Sequence, residues 1–225
     1  MNIYPTITTA SQKSWSDKIK EIIKLGLKEV CVFPSMIDFK ERKKLYHQLE
    51  RSQIKHIPLV HLRHDFRPEE VSYFMVNYKT RHFNIHPQNK YPLQYDLSQY
   101  KKFIYLENAR QKLSGNEIKS WAGLCLDFAH LEDVRLQQSN LFNHFSRLIK
   151  KNSVGCAHLS AIKTKPLFDT ANNRPIYDSH YFQNLSEFDY LKRYRKILPT
   201  IAAIEIENPI SEQLKIKTYL KKILK

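Results

Sequence analysis

The sequence predicts an α/β protein, a (β/α)8 barrel formed as a single domain over residues 1–225. Three observations predict it. Short apolar runs alternate with segments of helical period about eight times, and no composition break interrupts the alternation. The length of 225 residues is that of a barrel built as one domain. An open doubly wound sheet is the alternative, but that fold carries a Gly-rich phosphate turn, and this chain has only four glycines and no such turn.

Taken in order, residues 3–8 form the first strand candidate, and residues 16–25, with Ile19, Ile22, Ile23 and Leu25 as an apolar stripe, form the first helix. A strand over 29–33 and a Lys/Glu-rich helix over 38–52 follow. The third strand covers 56–62, and Pro68-Glu69-Glu70 opens the next helix, because proline suits the first turn and acids suit its dipole. Residues 82–86 are the fourth strand, with a weak helix near Leu97. Residues 103–106 are the fifth, after which Ser114 and Glu117 have the spacing of a capping box. The sixth strand, 123–126, precedes a helix over 136–150, and the seventh is 154–157. Residues 160–184 read as a long irregular stretch, Ser186 caps a helix to about 198, residues 201–204 are the eighth strand, and Ser211-Glu212 opens a basic closing helix.

Composition sets further bounds. Lys plus Arg number 37 against 22 Asp plus Glu, a formal charge of +15. A charge of that size suits a polyanionic partner such as nucleic acid or, equally, an organism whose proteins are rich in lysine. The lysines are scattered, with no run of five or six. Cys31, Cys125 and Cys156 fall in apolar runs without CxxC pairing, as buried small hydrophobes in a reducing compartment do. The first residues lack a basic segment followed by an apolar one, and no stretch approaches 18 apolar residues. A soluble cytoplasmic monomer, with no membrane association, is the expectation.

The chemistry gathers where the strands end. In a barrel the site lies at the C-terminal ends of the strands. There stand His64 after the third strand, His86 after the fourth, Glu107 after the fifth, Asp127 with His130 after the sixth, His158 after the seventh, Asp178 with His180 in the following loop, and Glu205 after the eighth. Each has an ordinary reading: Asp127 as a helix N-cap, Asp178 as a turn residue, a lone histidine as a satisfied core side chain. Together they are five of the ten histidines and four carboxylates on one rim. Imidazole and carboxylate suit Zn²⁺ or Mn²⁺, and nine such groups exceed the roughly four donors one zinc accepts, so more than one metal is expected.

The segments Leu106-Glu107-Asn108, Asp127-Phe128-Ala129-His130, His158-Leu159, Asp178-Ser179-His180 and Glu205 with Asn208-Pro209 resemble the xylose isomerase-like barrel superfamily, and within it the endonuclease IV family of apurinic/apyrimidinic endonucleases. That family places Asn-Phe-His-Pro where this chain has Asn84-Ile85-His86-Pro87, and it carries a D-x-H pair where Asp178 and His180 stand. The resemblance implies a site of three zinc ions, with manganese or iron an option at one. One would take His64 and His86 with Glu107 bridging; a second Glu107, Asp127, His158 and Glu205; a third His130, Asp178 and His180. His61 is the alternative to His64. It also implies hydrolysis of DNA 5′ to abasic sites, with Glu107 and Glu205 orienting the attacking hydroxide. Arg63, Arg67, Arg110, Lys163, Lys165 and Arg174 lie in rim loops as candidate phosphate contacts. The superfamily's sugar isomerases and epimerases share the quartet Glu107, Asp127, His158 and Glu205, so that quartet does not separate the two activities. A barrel that binds nucleic acid or a partner without catalysis is the third reading. The chain departs from the nuclease family at Gln88 and at Ala109-Arg110, where the family has glycines, and at Tyr181-Phe182-Gln183-Asn184 after the D-x-H pair.

Overall fold

The computed structural model describes residues 1–9, 15–170 and 173–225. Nine parallel strands form the main sheet: β1 (Asn2–Tyr4), β2 (Thr6–Thr8), β3 (Cys31–Phe33), β4 (Leu59–His61), β5 (His82–Ile85), β6 (Ile104–Glu107), β7 (Leu124–Asp127), β8 (Val154–Leu159) and β11 (Ile201–Ile204). They are ordered β1-β11-β8-β7-β6-β5-β4-β3-β2. The two outer members of that order are consecutive in the chain, so the sheet closes on itself as the expected barrel. The strand foreseen over 3–8 is split at Pro5: β1 pairs with β11, and β2 pairs with β3. Proline has no N–H to place in a ladder, but its carbonyl still accepts from Cys31 N at 2.9 Å.

Helices α1 (Trp15–Lys24), α2 (Phe39–Glu50), α3 (Pro68–Tyr78), α4 (Gly115–Lys119), α5 (Phe128–Leu136), α6 (Asn140–Lys151) and α7 (Ile210–Ile223) surround the sheet, with 3-10 segments at Ser98–Tyr100 and Leu185–Ile197. The Ser114 hydroxyl accepts from Glu117 N, as the capping pattern predicts. Two helix expectations are corrected. Residues 136–150 are not one helix, because α5 begins directly after β7 with Asp127 as its N-cap, and Ser139 caps a separate α6. On α1 the buried apolar residues are Trp15, Ile19 and Ile22, while Ile23 and, just past the helix, Leu25 are exposed.

The stretch 160–184 is likewise not irregular. It holds an antiparallel hairpin of β9 (Ala161–Asp169) and β10 (Arg174–Ser179), with a register shift between Ile176 and Asp178. Most of β9 is exposed on both faces, so it lacks the apolar alternation that marks a strand in sequence. Among the described residues no helix is long and apolar enough to cross a membrane.

The barrel interior follows the two-residue period of a strand. Tyr4, Cys31, Phe33, Leu59, Cys125, Cys156 and Ala203 form one apolar plug inside the ring of strands. A larger core, including Ile7, Val32, Val60, Phe83, Leu106, Leu126 and Ile204, lies between sheet and helices. All three cysteines are buried and unpaired, in accord with their apolar settings in the sequence. Below the loop after β4, fully buried Arg42 donates to both carboxylate oxygens of Glu70, at 2.7 and 3.0 Å, and to Asp65 at 3.0 Å. Removing one partner of such a buried pair leaves the other charge uncompensated, so this network fixes the β4–α3 loop.

Gly123 sets the start of β7. Its φ is +140°, and a Cβ there would stand 2.4 Å from Ser153 Oγ and 2.5 Å from the Ser153 carbonyl oxygen. Gly123→Ala is therefore expected to lower unfolding stability by about 1–3 kcal/mol through backbone strain, with the steric conflict adding to it. A urea midpoint equal to that of the parent chain would contradict this placement.

Candidate metal centre at the mouth of the barrel

Two residues above the apolar plug, the same inward register delivers polar side chains. Leu59 is followed two positions on by His61, Tyr105 by Glu107, Cys125 by Asp127, Cys156 by His158 and Ala203 by Glu205. The ladder brings their strands into step, pairing His61 with Asn84, Asp127 with His158 and Ala203 with His158. Chains of this layout convert alternate strand positions into a ring of donors.

Glu107 is the centre of that ring. It belongs to two groups of side chains whose donor atoms lie within 4.8 Å of one another: His61, His86 and Glu107, and Glu107, Asp127 and His158. Its Oε2 is 3.4 Å from His61 Nε2 and 3.7 Å from His158 Nδ1, and its Oε1 is 3.7 Å from His86 Nε2 and 3.8 Å from His130 Nδ1. Glu205 Oε2 lies 3.0 Å from His158 Nδ1. The inward histidine of β4 is thus His61, not His64. His64 is half-buried in the loop beyond the strand, where it lines the cavity mouth.

Several donors are buried without a hydrogen-bond partner: both ring nitrogens of His61, Asp127 Oδ2 and His130 Nδ1. Burying a polar atom unsatisfied is costly, and a divalent cation in each donor group would take up His61 Nε2 and Asp127 Oδ2. Supporting contacts leave the right atoms free. Asp127 uses Oδ1 to accept from His130 N at 2.8 Å as the α5 cap, which keeps Oδ2 for a metal. His158 donates through Nε2 to Asn84 Oδ1 at 3.2 Å, so Nδ1 faces the centre. His180 donates through Nδ1 to the Glu205 carbonyl at 3.1 Å, which frees Nε2.

Asn84 also donates to Glu107 Oε2 at 2.8 Å, and Asn108 clamps the backbone of Asp127 through both its N–H and its carbonyl, at 2.6 and 3.0 Å. Neither asparagine figures among the sequence-derived site residues. Their signal was their place beside donors, Asn84 two residues before His86 and Asn108 directly after Glu107.

The donor set therefore fits metals at two positions sharing Glu107. The third position does not fit. His130 Nε2 is 3.5 Å from Asp178 Oδ2, but the Arg110 guanidinium sits in contact with Asp178 Oδ1 and also donates to Asp133 Oδ2 at 3.1 Å.

Of the other basic rim residues, Arg63 lines the cavity with Nε 3.4 Å from Asp65. Arg67 stacks on Phe39 at 4.0 Å from the ring centroid, Lys163 pairs with Glu187 at 2.8 Å, Lys165 is exposed on β9, and Arg174 is half-buried.

The cavity above the centre has a volume of ≈ 420 Å³. His61, His86, Glu107, His130, His180 and Glu205 line it together with Thr8, Phe33, Ser35, Met36 and Tyr91. Beside it Lys18, lowered in pKa by burial, pairs with Glu207 at 3.4 Å.

Burial dominates the electrostatics. It pushes the Glu107 and Asp127 carboxyls up to about 7, and the neighbouring Glu205 charge acts in the same direction on both. Burial lowers His61, His130 and, to about 4, His86, leaving neutral imidazoles of the kind that ligate metals. His158 goes the other way. Burial opposes its charge, but Glu205 and Glu107 raise it to about 10. Glu205 is held well below the usual carboxylate range, where His158 and His180 outweigh its burial.

Compared with known proteins, the chain matches no family model and no curated protein. Solved structures do match over nearly their full length. A probable 3-DHS dehydratase, AsbF, involved in petrobactin synthesis in Bacillus anthracis, superposes with a TM-score of 0.50 at 11% identity, covering 99% of each chain. A xylose isomerase-like TIM barrel protein from Mycobacterium smegmatis, solved in complex with magnesium, superposes with a TM-score of 0.52 at 11% identity, covering 99% of this chain and 96% of that one. At such identity the likeness establishes the fold alone: this chain is a TIM barrel.

The titrations set a pH dependence. The raised pKa values of Glu107 and Asp127 mean that the metal-free fold binds more protons than the unfolded chain between the ordinary carboxylate range and about 7, so these two groups oppose folding as pH rises through that window. Metal must displace the same protons. Affinity for Zn²⁺ or Mn²⁺ is expected to rise from pH 6 to pH 8 by about tenfold for each of the two carboxyls. Calorimetry in buffers of different ionisation heat should detect the released protons. Equal affinity and no proton release would show that these groups are not ligands.

Proposed function

We propose that this chain is a metal-dependent phosphodiesterase that hydrolyses the DNA backbone on the 5′ side of an abasic site. The observation that carries the reading is the shared carboxylate of Glu107, common to two donor groups at the floor of one cavity. A pair of divalent ions so held suits displacement at phosphorus. The formal charge of +15 suits a polyanionic substrate, and the resemblance of the donor segments to endonuclease IV supplies the lesion. Zinc is the ion these imidazole and carboxylate donors favour, with manganese or iron compatible.

Ions bound at the two positions would supply positive charge to the phosphoryl oxygens and acidify water toward a pKa of ~7. The chain's own groups do the rest. Glu205 and Glu107 orient the attacking water, and Asn84 holds Glu107 in place. The water oxygen bonds to phosphorus, the bond from phosphorus to the 3′ oxygen of the preceding nucleotide breaks in line, and the proton ends on that oxygen. The products are a 3′-hydroxyl and a 5′-deoxyribose phosphate. A cavity of ≈ 420 Å³ takes a sugar and not a duplex, so the abasic sugar must leave the stack to reach it, with Phe33 and Met36 as apolar wall.

The same enclosed cavity favours a second reading, an isomerase or epimerase acting on a free sugar or sugar phosphate. A labelled duplex carrying one tetrahydrofuran site, assayed beside undamaged duplex and a panel of ketose and aldose phosphates, separates the two. Incision 5′ to the lesion is expected, and Glu205→Gln should reduce it by ~10²-fold or more, as loss of a positioned catalytic group does. Turnover of a sugar phosphate by metal-loaded protein that leaves the duplex intact would establish the second reading instead.

A further inference from the structure

The donors His130, Asp178 and His180 converge on the same rim as the two metal positions, yet Asp178 is already held by a guanidinium. Arg110, on the loop after β6, reaches across the rim to the hairpin, where its NH2 contacts Asp178 Oδ1 and its Nε donates to Asp133. Asp133 is itself completely buried and anchored, accepting from Tyr177 N at 2.7 Å and from Gln137 Nε2 at 2.9 Å. The guanidinium is therefore clamped between α5 and β10 by two carboxylates, a geometry that a planar fork of donors suits. Among the described residues, the donor atoms close enough to share one ion form only the two groups that contain Glu107.

We infer that Arg110 stands where a third metal would otherwise bind, so that the chain holds two metals beside one fixed guanidinium. The inference rests on the two-metal reading proposed above. A cation of unit charge that cannot exchange replaces a divalent ion that can, and it holds Asp178 without one. Arg110 also lines a second cavity of ≈ 450 Å³ that adjoins the first across His86 and His130, together with Lys90 and Arg174. No carboxylate appears among its lining residues.

Metal counting tests this without reference to turnover. Protein stripped by chelator, reloaded with excess zinc and desalted should carry two zinc ions per chain by elemental analysis. Arg110→Ala should carry three, and adding Asp178→Asn to it should return the count to two. Arg110→Gln, which retains a donor for Asp133, serves as the second opening variant, with circular dichroism checking that each variant is folded. Three ions in the parent chain, or two in both folded Arg110 variants, would overturn the inference while leaving the metal centre standing. No bound metal in any form would remove the centre and the inference together.

Discussion

The hydrogen bond from Asn84 to Glu107 is the contact on which the mouth of this barrel depends. Glu107 is almost fully enclosed, and its carboxylate faces imidazoles from β4, the end of β5, α5 and β8. A carboxylate in that setting is held either by a proton or by a cation. Asn84 fixes its orientation from one side and fixes the His158 tautomer from the other. One amide thereby sets the orientation of both Glu107 and His158. Outer contacts of this type tune metal sites as strongly as the ligands themselves.

The fold makes that concentration of charge tolerable. Apolar plug residues close the barrel beneath the site, so the donors see little solvent from below. Unsatisfied buried nitrogens and oxygens would be a heavy liability in a protein that bound nothing. Below the loop after β4 a buried charge is fully paired. Arg42 is matched by Glu70 and Asp65, and Tyr46 adds a donor to Glu70 at 2.6 Å. At the mouth, by contrast, buried atoms of His61, Asp127, His130 and His158 have no hydrogen-bond partner. Their disposition around Glu107 is the strongest structural argument for metals.

Much of the architecture was legible in the sequence because parallel barrel strands are short apolar runs with a regular spacing. The strand at 201–204 coincides with β11, and Gly123 marks the start of β7. The face on which each strand residue lies was less legible. In β4 both Leu59 and Val60 are apolar and buried, so nothing local says whether the parity favours His61 or the loop residue His64. Closure of the barrel decides it, through neighbours distant in sequence. The hairpin of β9 and β10 was hidden for the opposite reason, since a strand exposed on both faces carries no periodic signal. Arg110 read as a rim cation because its carboxylate partners, Asp133 and Asp178, lie 23 and more residues away. Asp127 shows two readings fulfilled at once, one oxygen capping α5 and the other left for the centre.

The central claim is that Glu107 is a bridging ligand. Anomalous diffraction collected across the zinc absorption edge from crystals of zinc-loaded protein tests it directly. Two anomalous peaks should flank the Glu107 carboxylate, one facing His61 and His86 and the other facing Asp127 and His158. A single peak away from Glu107, or peaks only at surface histidines, would contradict the account.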